Sequence, residues 1–179
     1  GAFITTGIQN TLIGGLAGRA LTDADYNVAV GVAALDLDTK GNKSTAIGYN
    51  ALSTQNFTSS TDSYNTAVGY DAGVAVTTGL RNTLIGSLAG DALTDADRNT
   101  VLGNQALTTD TQGSRTVAIG FNALATQNFT SATNSYNTAV GYGSGEVITT
   151  GVQNTIIGSL AGDSLTDADN NVAVGYLAL

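Results

Sequence analysis

The feature that most constrains the fold of this chain is a glycine that returns at a nearly fixed interval along the whole sequence. The interval is 17 residues in most places and 21 in two, and the larger pattern repeats every 72 residues. Because so short a repeat cannot bury a core of its own, each copy is predicted to be one coil of a solenoid. The central glycines are Gly14, Gly31, Gly48, Gly69, Gly86, Gly103, Gly120, Gly141, Gly158 and Gly175.

The residues around each central glycine predict short strands. An aliphatic residue precedes every one of these glycines, and an asparagine stands four residues before it, replaced only by Ser44 and Thr116. Alternating apolar and β-branched residues between polar turns are typical of strands of about four to six residues, and no window has the spacing of an amphipathic helix. We therefore predict an all-β fold in which each coil contains a corner, a buried strand, a glycine bend and a second short strand.

The repeated glycine and asparagine carry predictions about the backbone. A glycine in every repeat predicts a positive φ, or packing too close for a Cβ atom. Asparagine tolerates the left-handed conformation and can hydrogen-bond to neighbouring coils, so a ladder of asparagines is predicted at one corner. At a strand spacing of ~4.8 Å, ten coils form a rod roughly 45 Å long, with a thin core rich in alanine.

Composition excludes several classes of function. The chain has 6 basic and 14 acidic residues, which argues against nucleic-acid binding because phosphate contacts need clustered Lys and Arg. It has no His and no Cys, the residues of most zinc, haem and nucleophile–base sites, and we predict that it is not an enzyme. No apolar run is long enough for a transmembrane span, so membrane insertion is not expected.

The repeats make residues 1–179 a single repeat domain, with long repeats at about 5–76, 77–148 and 149–179. Because the chain begins and ends inside the pattern, we expect a fragment of a longer fibre. Aromatic residues just after the glycine, and paired leucines, form an apolar surplus that predicts an interface between copies of the chain. These residues are Tyr49, Tyr70, Phe121, Tyr142, Tyr176, Leu35, Leu52, Leu107 and Leu124.

Three blocks carry a resemblance to known repeats: STAIGYNAL at 44–52, NTAVGYDAG at 65–73 and TTGLRNTLIGSLAG at 77–90. They resemble the head repeats of YadA-type trimeric autotransporter adhesins and, more closely, repeats of phage tail fibres. The resemblance covers residues 5–179, although the adhesin heads usually have a shorter repeat. It implies a left-handed parallel β-roll, a homotrimer, and a location outside the cell on a virion fibre or a bacterial surface.

One candidate metal site is the sequence Leu-Thr-Asp-Ala-Asp-x-Asn, which occurs three times. Oxygen ligands at alternate positions are how calcium-binding loops begin, but the later glycine and bidentate glutamate are missing, so one chain supplies too few ligands. The alternative is that these aspartates cap turns at a solvated corner. The candidate calcium ligands are Asp23, Asp25, Asp95, Asp97, Asp167 and Asp169.

A candidate ligand-binding site lies in the two 21-residue coils. Their inserts, at 55–64 and 127–136, both keep a phenylalanine and a tyrosine among Ser, Thr and Asn. Because aromatic rings stack on sugars and loops on a rigid scaffold often carry function, Phe57, Tyr64, Phe129 and Tyr136 are predicted to contact a cell-surface glycan or receptor. The alternative is that the phenylalanines fold back over the coil or pack against a neighbouring chain.

The combined expectation is a structural or adhesive shaft or head segment of a trimeric phage tail fibre or bacterial surface adhesin, mediating host or surface attachment. A partial threonine column after the corner asparagine supports a first alternative, a monomeric ice-binding or other ligand-binding solenoid. Valine interrupts that column at Val28, Val117 and Val172. A second alternative is a polysaccharide-degrading tailspike, with paired acids where chains meet.

Overall fold

The computed structural model describes residues 1–179 as a parallel β-solenoid of ten coils without any helix, as the sequence predicted. Each coil contributes one three-residue strand to a ten-stranded parallel sheet, whose strand order follows the chain. No helix is available to cross a membrane. The strands are β1 (Thr11–Ile13), β2 (Val28–Val30), β3 (Gly41–Asn42), β4 (Thr45–Ile47), β5 (Thr61–Asp62), β6 (Thr66–Val68), β7 (Thr83–Ile85), β8 (Thr100–Leu102), β9 (Gly113–Ser114), β10 (Val117–Ile119), β11 (Thr133–Asn134), β12 (Thr138–Val140), β13 (Thr155–Ile157) and β14 (Val172–Val174).

The register of the sheet equals the sequence repeat. Thr11 pairs with Val28 across a 17-residue coil, and Thr45 pairs with Thr66 across a 21-residue coil. The four two-residue strands form two small parallel sheets, β3 with β5 and β9 with β11, beside the two longer coils. The extra residues of the 21-residue coils are therefore accommodated without shifting the main sheet.

The segment after each central glycine is a turn, and the prediction of a second short strand there is wrong for these coils. Residues two and four positions after the glycine have positive φ, as at Asn50 (53°) and Leu52 (51°). An extended strand needs negative φ throughout, so this alternation excludes one. The turns nevertheless hydrogen-bond from coil to coil: the Leu52 amide donates to the Ala72 carbonyl at 3.1 Å.

Both predicted reasons for the central glycine are confirmed. Gly14 has a φ of 128°, and a Cβ atom there would lie 2.6 Å from the carbonyl oxygen of Gly31. The same close approach to the next glycine recurs up to Gly158. Any side chain at these positions would push two coils apart.

The predicted asparagine ladder is present, but its backbone conformation differs from the prediction. Asn65 Oδ1 accepts a hydrogen bond from the Asn82 amide at 2.9 Å, and Asn65 Nδ2 donates to the Gly79 carbonyl at 2.7 Å. The left-handed residue is the one before the asparagine, as at Tyr64 (φ 52°) and Arg81 (φ 60°). Apart from Asn10 and Asn171, the asparagine side chains are buried at the corner, where they satisfy backbone groups of the following coil.

The core is thin and consists mainly of alanine and leucine, as predicted from composition. The middle residue of each three-residue strand points inwards, and the residue three positions after the central glycine, alanine in every coil except for Ser144, packs beside it. The position four residues after the central glycine is also interior. Leucine occupies it in five coils. Leu179 is 57% exposed, whereas the other four leucines are fully buried and, contrary to the prediction, do not add to the outer apolar surface: Leu35, Leu52, Leu107 and Leu124.

Two kinds of coil differ in how this interior is filled. We call coils "leucine coils" where one of those four leucines occupies the position, and "glycine coils" where it is Gly18, Gly73, Gly90, Gly145 or Gly162. Three residues later, glycine coils carry an apolar side chain and leucine coils a polar one. The apolar set is Leu21, Val76, Leu93, Ile148 and Leu165, and the polar set is Asp38, Gln55, Asp110 and Gln127.

Candidate functional sites

The outward side of the ten-stranded sheet is a regular apolar surface, which we call the outer face. Alternate residues of a strand point to opposite sides, so the first and third residues of each strand lie on this face. The first is Thr or Val and the third is Ile, Val or Leu in every coil. Ile13 and Leu102 are 59% and 46% exposed. None of the outward residues is buried, and each is at least partly exposed.

The aromatic residues after the central glycines are exposed and extend the apolar surface, as predicted. Tyr49 and Tyr70, from successive coils, stack with ring centroids 5.3 Å apart and planes inclined by 9°. Phe121 and Tyr142 stack in the same way at 5.4 Å. Offset stacking of this kind fixes the rings relative to the sheet.

The two inserts separate the four predicted ligand-contact residues into two groups. Phe57 and Phe129 are each only 6% exposed, and each ring packs against the glycine of the neighbouring two-residue strand, Gly41 or Gly113. Tyr64 and Tyr136 are about half exposed. The phenylalanine rings therefore cover the coil, while the tyrosines are presented to solvent; contact with a glycan or receptor stays a prediction.

Beneath each insert lies a buried polar network that sequence reasoning missed. Gln127 Nε2 donates to Asp110 Oδ2 at 2.6 Å, and Gln127 Oε1 accepts from Asn137 Nδ2 at 2.8 Å. Asp110 Oδ1 accepts from the amides of Gly113 and Phe129, both at 3.0 Å. Burial raises the pKa of the Asp110 carboxyl above its usual range, although these hydrogen bonds oppose that shift.

The same network recurs 72 residues earlier, with Asp38, Gln55 and Asn65 in the equivalent places. A sequence signal was available: both pairs of leucine coils carry Asp and then Gln three residues after the leucine. Because each network closes the turn between a 17-residue and a 21-residue coil, we interpret it as a support for the insert.

The aspartates of the three Leu-Thr-Asp-Ala-Asp segments mainly bond within the solenoid. Asp25, Asp97 and Asp169 each accept a hydrogen bond from an amide of the preceding coil, at 2.9, 2.8 and 2.8 Å. The first aspartates, Asp23, Asp95 and Asp167, each accept from the threonine just before them. No three acidic side chains converge as a group that could hold a metal ion, and calcium binding stays a prediction.

A second surface feature missed by the sequence analysis lies at the residue just before the corner position. In seven successive coils this residue is a tyrosine or a cation, always with positive φ. Lys43 Nζ lies 5.1 Å from the Tyr64 ring centroid, and the Arg115 guanidinium lies 5.5 Å from that of Tyr136. We call it the cation–tyrosine row: Tyr26, Lys43, Tyr64, Arg81, Arg98, Arg115 and Tyr136.

The row could have been found by aligning the repeats and reading the position five residues before each central glycine. Four of the six basic residues of the chain fall in it. Composition alone hid this cluster, because the net charge of −8 conceals a local excess of cations.

The surface of the solenoid has no enclosed pocket. The outer face and the cation–tyrosine row are two extended surfaces that are candidates for recognition. No family model, curated protein or solved structure matches the chain, so what is established is its fold, a parallel β-solenoid of ten coils.

Proposed function

We propose that the chain is a structural and adhesive rod segment of a trimeric fibre, carried on a virion or a bacterial surface and mediating attachment to a host or another surface. The observation that supports it is the outer face, an apolar surface roughly 45 Å long at the spacing of parallel strands. Contiguous exposed apolar surface of this extent marks an interaction site.

The charge distribution favours self-association through this face. No outward strand position and no position directly after a central glycine carries a charge in any of the ten coils. The net charge of −8 is therefore placed elsewhere, where it does not oppose contact between outer faces. Because every coil presents the same surface, copies of the chain can meet along their whole length.

The backbone suits a shaft. The chain has 101 backbone hydrogen bonds, and most of those outside the strands join one coil to the next. Such a quasi-one-dimensional arrangement gives an extended and regular body that holds surface loops at fixed distances from one another.

The oligomeric state tests this proposal most directly. Light scattering of the purified chain is expected to give three times the 17.9 kDa chain mass. Ile85→Lys, on the outer face, is expected to give a single-chain mass because it places charges at the interface. Thr78→Lys, an exposed position away from the main sheet, is the matched control and should stay trimeric. A mass near 17.9 kDa for the unmodified chain would contradict the trimer.

Attachment is tested separately on a glycan array probed with the labelled trimer. Binding that is lost when Tyr64 and Tyr136 are both replaced by serine would support glycan contact at the inserts. A trimer that binds no glycan and no host-cell surface would restrict the function to that of a shaft.

One observation favours a second candidate, ice binding by a monomer. Seven of the ten coils place threonine at the first outward strand position, in a straight column on the outer face. An ice-recrystallisation assay tests it, with Thr83→Lys as the variant that interrupts the column and Thr78→Lys as its control. Equal activity of the two variants would exclude the column as the ice-binding surface.

A further inference from the structure

The cation–tyrosine row is a continuous line of recognition groups. It covers seven successive coils, which at ~4.8 Å per coil is a line roughly 30 Å long. Its tyrosines are 47–49% exposed, and Arg81 and Arg98 are also exposed. The left-handed backbone at each of these positions recurs in the same register of the repeat, so the side chains form one column along the rod.

The cations of the row are only partly neutralised. Lys43 Nζ contacts Asp62 Oδ2 at 2.6 Å, and this hydrogen bond raises the pKa of Lys43 and lowers that of Asp62. Arg98 lies 3.6 Å from Asp97 in an exposed ion pair of the kind that contributes little. Arg81 and Arg115 have no acidic partner. At least two guanidinium groups are therefore free to bind an anion.

Two of the three tyrosines, Tyr64 and Tyr136, are held in place by these cations. Lys43 and Arg81 lie on the Tyr64 ring, at 5.1 and 5.9 Å from its centroid. Arg115 Nη1 donates a hydrogen bond to the Tyr136 hydroxyl at 2.7 Å. Cation–π contacts of this geometry orient exposed rings and reduce the entropy lost when a ligand stacks on them.

We infer that the cation–tyrosine row is a binding site for a linear anionic polysaccharide, which lies along the rod with its acidic groups on the cations and its sugar faces on the tyrosines. Arginine binds carboxylate and sulfate through paired N–H donors, and aromatic faces accept sugar rings. The row contains both kinds of group, with Lys43 between its first two tyrosines and three arginines between its last two, so it offers both charge and stacking surface to a chain of charged and neutral sugars. This site deepens the attachment role proposed above and rests on it.

A nucleic acid is the competing linear polyanion. It carries a charge at every nucleotide, and a chain with a net charge of −8 repels so dense a polyanion except at the row itself. A polysaccharide with more widely spaced charges meets less of this repulsion, so it fits the observed distribution of charge better.

Affinity electrophoresis of the purified chain tests the site. Native gels would contain chondroitin sulfate as the sulfated probe, hyaluronate as the carboxylated probe, or dextran as the neutral probe. Retardation by chondroitin sulfate or hyaluronate, and not by dextran, is expected, and stronger retardation by chondroitin sulfate would show that the row prefers sulfate. No retardation by either at low salt, or stronger competition by single-stranded oligothymidylate than by both polysaccharides, would overturn the proposal.

Matched variants separate the row from overall charge. Arg81→Gln is expected to weaken binding about threefold, which is the effect of losing one exposed charge contact. The triple variant with Arg81→Gln, Arg98→Gln and Arg115→Gln is expected to weaken binding roughly 25-fold, because the three losses add in free energy. Arg19→Gln makes the same change in net charge outside the row and should have no effect. Equal losses for Arg19→Gln and Arg81→Gln would refute the site.

Two further readouts complete the test. Tyr26→Ser removes a ring and no charge, so it should weaken binding without changing the dependence on salt. The mass of the same preparations, measured by light scattering, distinguishes this site from the proposed function. If the chain is a trimer that binds neither polyanion, the proposed site is refuted and the trimeric fibre is not. If the chain is a monomer that binds the polyanions through the row, the trimeric fibre is refuted and the site is not.

Discussion

Glycine coils and leucine coils fill the same interior in different ways. In a glycine coil, the space beside the turn is taken by an apolar side chain three residues later, as Leu93 does beside Gly90. In a leucine coil, the leucine fills it and the later residue is polar. The two positions are therefore coupled by volume, and neither is understood from its own residue alone.

The leucine coils show that burial outweighs backbone strain. Leu124 has a φ of 52°, a left-handed conformation that costs about 1–2 kcal/mol for a residue with a side chain. Full burial of a leucine contributes about 1.5–3 kcal/mol, which offsets that cost. Leucine coils also occur in adjacent pairs, so Asp38 meets Gln55 and Asp110 meets Gln127. A single leucine coil would leave such a buried polar group without its partner.

The largest expected effect on stability comes from truncating the buried leucine of a leucine coil. Leu124→Ala should lower the free energy of unfolding by about 2–5 kcal/mol, because it leaves a cavity and keeps the left-handed strain. Urea denaturation followed by circular dichroism measures it. Leu16→Ala is the matched control, since Leu16 is also left-handed (φ 64°) but 51% exposed. Similar losses for the two variants would show that burial of Leu124 does not offset its backbone strain.

A smaller effect on stability is expected from adding a side chain at the interior glycine of a glycine coil. In Gly90→Ala, the new Cβ would lie 2.8 Å from Leu93 Cδ1 and 2.9 Å from Leu84 Cδ2, at a φ of 55°. We expect a loss of about 1–3 kcal/mol in the same denaturation experiment. Adding Leu93→Val should recover part of it, because the two positions share one space. Strictly additive losses in the double variant would show that they do not.

The smallest effect concerns the polar group of the leucine coil and depends on pH. Burial raises the pKa of Asp110 above its ordinary value of 3.8, so the folded state binds this proton more tightly than the unfolded state does. The contribution of the protonated Asp110 carboxyl to folding stability is therefore full below pH 3.8. It is lost as the pH rises through the pKa that Asp110 has in the folded state. The difference in unfolding free energy between the wild type and Asp110→Asn should follow this dependence.

Asp163→Asn, at an exposed position, controls for the change in net charge in that series. Denaturation midpoints measured between about pH 3 and pH 8 cover the range in which carboxyl groups titrate. A difference between wild type and Asp110→Asn that is constant over this range would contradict a raised pKa in the folded state.

The sequence predicts the coil and its register because both follow from spacing. The central glycine and the asparagine ladder were predicted because each has one dominant physical cause, close backbone approach in the first case and side-chain hydrogen bonding in the second. The second strand was not a correct prediction, since β-propensity cannot reveal two left-handed residues after each glycine. Residues such as Leu52 and Arg81 rarely adopt that conformation, and it is imposed by hydrogen bonds between coils.

The candidate sites were less predictable because they depend on contacts between coils. The aromatic residues Phe57 and Tyr64 lie in one insert, but only the structure separates the buried ring from the exposed one. Likewise, the Asp38–Gln55 pair and the cation–tyrosine row join residues 17 or more positions apart. The linear sequence does not show that such residues are neighbours. Aligning the repeats does, because equivalent positions of successive coils stack on one another.

The asparagine ladder has a direction. Asn10, Asn65 and Asn82 each offer Oδ1 to an amide of the coil that follows, never to one of the coil before. Each finished coil thus already holds the acceptor that its successor needs. The rod can form in the order in which a ribosome delivers it, because each new coil pairs with the coil just before it and no segment waits for a distant part of the chain.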